Sequence, residues 1–96
     1  MTWALPPPFP VPPARYMQVN AESLVVHVPF DQLKARCGET ELRAQLLGCS
    51  IPATPTRRCV IILPTPETWP GTPATLELDQ QHEQGHCNGW PANHPR

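Results

Sequence analysis

Apolar residues gather in two short runs, Leu-Val-Val-His-Val at 24–28 and Cys-Val-Ile-Ile-Leu at 59–63, each closed by a proline, Pro29 and Pro64. β-branched runs of this length, stopped by a residue without a backbone N–H, predict strands. The second run is the most hydrophobic stretch of the chain and predicts the buried centre of a sheet. Between the runs, Asp31 predicts the cap of a short helix over 32–37 that stops at Gly38. Thr40 predicts the cap of a second over 41–47, with Leu42 and Leu46 one turn apart and Gly48 as its stop, or the two form one interrupted helix. Residues 64–72, with Pro64, Pro66, Pro70 and Gly71, read as a rigid loop. Thr72-Pro73 then places a cap before a proline at the first helical position, predicting a helix over 73–88 with Gly89 just past its end. The fold class that follows is α+β, a small sheet backing a C-terminal helix.

Composition narrows what such a chain can be. Ninety-six residues make one small domain, and a net charge of −1 leaves no basic footprint for nucleic acid or an acidic membrane surface. No apolar run approaches the ~20 residues of a membrane span. Prolines number 15, and several crowd residues 1–15. That arm predicts polyproline II or disorder, serving as a linker or, as an interaction protein would use it, a ligand for an aromatic groove. Residues 16–96 form the folded domain. The oligomeric state is not legible.

So small a core usually wants a staple. The four cysteines, Cys37, Cys49, Cys59 and Cys87, match no CxxC zinc spacing. They predict two disulfides if the compartment is oxidising, periplasmic or secreted, and three connectivities are open. The preferred one joins Cys59 to Cys87, tying helix to strand, and Cys37 to Cys49. The N-terminus pulls the other way, because Met1-Thr2-Trp3-Ala4-Leu5 has no basic start and no apolar stretch of the signal-peptide kind.

The candidate chemistry lies in His82-Glu83-Gln84-Gly85-His86, an HExxH pattern that this composition would produce by chance about 0.01 times. On a helix, residues four apart are separated by roughly 40°, so both imidazoles leave one face and can share one Zn²⁺. Glu83 lies roughly 100° round and is the candidate general base toward water activated by the metal. His94, eight residues past His86, is the candidate third ligand. Gly89 and His94 give the pattern His82-Glu83-x-x-His86-x-x-Gly89-x-x-x-x-His94. It resembles the metzincin zinc-binding consensus, in which a glycine turns the chain so that a third histidine returns to the metal. Here the third histidine comes two residues late, and no methionine follows to form that family's turn. The run from His82 to Pro91 is also similar to the HExGHCNGWP signature of small, uncharacterised bacterial proteins presumed exported and zincin-like. These resemblances cover only about residues 72–95. They imply a metal site and, in zincins, a strand before the active helix on which an extended peptide docks, here residues 59–63.

Other positions carry two readings each. Asp79, one turn before His82, is either a solvated helix position or a carboxylate that orients an imidazole. Gly85 costs ~1 kcal/mol inside a helix, either tolerated or there to admit a strand or substrate. Trp90 packs as a lid under the return loop or lines a pocket. Cys87 lies off the metal-facing side, and His27 reads as a structural residue of its strand. Two functions compete: a zinc-dependent peptidase acting on a peptide or protein, and a non-catalytic module that zinc staples together.

Overall fold

The computed structural model describes residues 11–17, 23–38, 47–91 and 94. The fold is α+β. Strand β1 (Leu24–Val28), helix α1 (Leu33–Cys37), strands β2 (Cys49–Ile51) and β3 (Val60–Pro64) and helix α2 (Pro73–Cys87) follow in order. The sheet order is β1-β3-β2. β3 runs parallel to β1, from Leu24 opposite Val60 to Val28 opposite Pro64, and antiparallel to β2, with Ser50 opposite Ile61.

β3 is apolar without alternation because both its faces are covered. Ile62 joins Val28 and Leu33 in a cluster that Val26, Phe30, Cys37 and Ile51 surround, on the α1 side. Ile61 and Leu63 point to the other face and are wholly buried. α2 packs against β3 and β2. Because β3 is flanked on both sides, it offers no open edge to an added strand, which overturns the docking role expected for residues 59–63. It is the sheet's centre instead. β2, which no pattern announced, pairs on its far side.

The first helix begins later than Asp31 suggests. Residues 30–32 form a 3₁₀ turn, and the cap position falls on Gln32 without a side-chain bond. Pro29 sets that turn, since the Gln32 N–H bonds the Pro29 carbonyl at 2.8 Å. The helix ends at Gly38, whose φ of 82° suits a residue without a side chain. The second helix expected over 41–47 lies outside the described residues, apart from buried Leu47.

α2 starts as its sequence dictates. Thr72 Oγ1 accepts from the Thr75 N–H at 3.2 Å, with Pro73 at the first helical position. Trp69 braces the cap, its indole N–H shared between the Thr72 carbonyl and Thr75 Oγ1. Replacing Thr72 by alanine is expected to cost about 1 kcal/mol and lower the melting temperature by roughly 4–8 °C, read from a thermal melt. The helix ends through Asn88, with Gly89 at φ 103°.

Two disulfides close the structure, Cys37–Cys49 and Cys59–Cys87, and no cysteine is free. The first ties the end of α1 to the start of β2. The second ties the residue before β3 to the last residue of α2. Loops of 12 and 28 residues make such links worth roughly 3–4 kcal/mol each in the chain-entropy picture. The pair is consistent with an extracellular location. No helix among the described residues is long and apolar enough to cross a membrane.

Candidate metal centre

The buried residues of α2 are Asp79, His82, Glu83 and Gly85. A helix of a soluble domain normally buries an apolar stripe. This one buries two carboxyl groups and an imidazole, so hydrophobic burial contributes little to holding it and the Cys59–Cys87 link contributes much.

His82 and His86 stand one turn apart, and their Nε2 atoms approach to 3.3 Å. His94 brings its own Nε2 to 3.1 Å from that of His86. The return depends on the chain beyond the helix. The Trp90 N–H bonds the Gly85 carbonyl at 2.9 Å, and the His94 N–H bonds the Pro91 carbonyl at 2.9 Å. His94 itself takes a left-handed backbone, φ 57°. That conformation costs roughly 1–2 kcal/mol for a non-glycine residue and is one that histidine adopts more readily than most.

The three nitrogens suit a cation. His86 Nδ1 lies 2.8 Å from the Trp90 carbonyl oxygen, which can only accept, so Nδ1 carries the proton and Nε2 presents a lone pair to the other two rings. Donors about 2.05 Å from a tetrahedral ion sit ~3.3 Å apart, close to the two spacings from His86 Nε2, and all three donor atoms lie within 4.8 Å of one another. Burial, and then the nearby His86, hold the His94 imidazole below its ordinary pKa, favouring the neutral form that ligates. Trp90, 3% exposed, closes the cluster. Its ring stacks on His86 at 5.0 Å and meets His82 and His94 edge-on, as a lid would. His82, His86 and His94 thus form a group that could hold a metal ion. His27 is exposed on β1 and takes no part in that group.

α2 also buries two carboxyl groups. Glu83 is 7% exposed; burial pushes its pKa up to about 7, while a hydrogen bond from the Ser50 hydroxyl of β2 lowers it. Asp79 is 1% exposed, so it is not the solvated helix position that its acidity suggests. Its Oδ2 has no hydrogen-bond partner, and burial, together with the charge of Glu83, raises its pKa to about 8. This orphaned oxygen stands on the helical turn before His82. The donor set of three imidazoles fits a divalent ion, and the unpartnered carboxyl oxygen one turn away would favour a cation nearby.

Sequence reasoning did not find Ser50 or Pro12. Ser50 carries no signal of its own, since its contact with Glu83 depends on β2 lying against α2. Pro12 is buried, although it belongs to the proline-rich arm, whose first ten residues lie outside the described ones. It explains Gly85: a Cβ there would fall 2.5 Å from Pro12 Cγ, so the glycine admits neither strand nor substrate but the N-terminal segment.

Comparison with protein-family models, curated proteins and solved structures finds no match to this chain.

Proposed function

We propose that the protein is a small zinc-dependent peptidase, with His82, His86 and His94 as the metal ligands and Glu83 as general base. The observation that carries this reading is the convergence of three imidazoles, with His86 Nε2 3.3 Å from that of His82 and 3.1 Å from that of His94 and one donor atom of each within 4.8 Å of the others. Three nitrogen ligands with a further position open are the donor set of catalytic rather than structural zinc. Bound zinc would supply Lewis acidity, polarising a carbonyl and acidifying water.

The chain's own residues take the remaining roles. Glu83 accepts a proton from the attacking water and passes it to the leaving amine, which a carboxyl group with a pKa near neutrality does in both directions. The Ser50 hydroxyl donates to Glu83 and restrains its rotation. Trp90 stacks on His86 and holds it through its carbonyl.

The competing reading, zinc as a mere staple, has less physical motive. The Cys59–Cys87 disulfide already fixes the last residue of α2, so an ion would fasten little beyond the tail at His94. A staple also gives no reason to bury Glu83.

The test is hydrolysis of a mixed peptide library by the zinc-loaded, disulfide-intact protein, followed by mass spectrometry. Cleavage is expected, to be lost on chelation and restored by one equivalent of zinc. Tight zinc uptake with no peptide cut at any pH from 5 to 9 would establish the staple instead.

A further inference from the structure

We infer that Pro12, at the opposite end of the chain, is a positioning residue for the metal centre. This assignment rests on the metal-binding reading above and extends it to the N-terminal segment.

The argument starts from the cost of Gly85. Glycine in mid-helix is unfavourable by ~1 kcal/mol against alanine, and this one lies between the two ligand-bearing positions of α2. The space it leaves is filled from two sides. The point a Cβ would occupy lies 2.5 Å from Pro12 Cγ, 2.8 Å from Pro12 Cβ and 3.1 Å from Trp90 Cε3. The proline ring and the indole therefore share the hollow above Gly85, and each limits how far the other can move.

Trp90 is the residue through which that limit reaches the metal ligands. Its ring stacks on the His86 imidazole with 18° between planes, and its carbonyl fixes the His86 tautomer. Its edge contacts reach His82 and His94 at 5.2 and 4.9 Å. Pro12 lies beside the indole over Gly85 and bounds the space in which it can move.

The N-terminal segment is anchored so that it can do this. The Asn88 side chain donates to the Tyr16 carbonyl at 2.8 Å, and Gln84 Nε2 donates to Ser23 Oγ at 3.0 Å. Residues 14–16 turn as a 3₁₀ helix directly after the proline pair Pro12-Pro13. Gln84, Gly85 and Asn88 thus receive the segment along one stripe of α2, next to the ligand-bearing face. The backbone beside a ligand sets its orientation as firmly as a hydrogen-bonding partner does, and partners of that kind alter metal affinity by roughly 10–100-fold.

The experiment uses the full chain with both disulfides formed, and Co²⁺ as the probe. Its visible absorption reports coordination geometry, and its titration reports affinity. Pro12→Gly removes the ring, and Gly85→Ala fills the hollow while favouring the helix. Each is expected to weaken Co²⁺ binding by roughly 10-fold and to change the absorption envelope, with helicity by circular dichroism retained. In the double variant the new methyl occupies the space that the ring vacates, so affinity should recover relative to Gly85→Ala alone. That recovery is a readout that general destabilisation would not produce. Unchanged affinity and spectrum in both single variants would overturn the assignment, as would a double variant whose loss equals the sum of the two. A wild-type chain that takes up no cobalt would overturn the metal-binding reading itself, and this assignment with it.

Discussion

Glu83→Gln is expected to leave zinc uptake unchanged and to slow peptide cleavage by about 10²–10⁴-fold. Glutamine matches the carboxylate in size and can still pair with Ser50, so the packing of α2 against β2 survives. What it cannot do is take up a proton and return it. The two readings of the site separate here. If Glu83 is only a satisfied polar residue, the variant cuts as fast as the native chain. If it is a ligand rather than a base, metal content falls along with activity. Parallel measurement of bound zinc and of cleavage rate distinguishes the three cases. The native residue is 7% exposed, so a loss of rate cannot be put down to a change at the surface.

The second large effect concerns stability. In the metal-free protein, Asp79→Asn is expected to stabilise the fold by about 2–4 kcal/mol at pH 8 and by little at pH 4. The direction follows from the carboxyl group's pKa, raised from 3.8 to about 8 by burial and the charge of Glu83. Between those values the folded chain keeps a proton that the unfolded chain has released. Its contribution is therefore fully present below about pH 4 and is lost as pH rises toward 8. Asparagine stays neutral throughout and removes this slope while leaving other titrating groups in place. Urea unfolding at several pH values, with the disulfides intact, gives the difference between the two chains directly. A variant less stable than the native protein at pH 8 would mean that the Asp79 carboxylate is ionised and satisfied. Loading with zinc should narrow the difference, because a cation one turn away favours the ionised acid.

Much of the architecture was legible because its signals are local. The runs at 24–28 and 59–63 needed only β-branched residues and a closing proline. α2 needed only Thr72, Pro73 and Gly89. The three histidines lie within one helix and its return, so spacing alone brought them together. The preferred pairing of the cysteines is the one found, although spacing allowed two others. What stayed hidden depends on distant parts of the chain. β2 is three residues long and exists by pairing with β3 and by its link to Cys37. Asp79 looked like a surface acid because α2 reverses the usual rule and turns its acids inward. Gly85 looked idle until the partner that occupies its hollow came from the other terminus. The resemblance to zincins put the peptide edge at residues 59–63, because a short apolar run marks a strand without telling whether both its sides are taken.

Closing His94 onto the helix joins residues only eight apart, whereas the parallel ladder joins Leu24 to Val60. The chain entropy lost in closing so short a ring is about 2 kcal/mol by the logarithmic rule, and an ion held by the three imidazoles would exceed that. Assembly of the centre is thus decoupled from the slow, non-local step that registers the sheet. The helix end and His94 therefore have a short-range route to each other once α2 has formed.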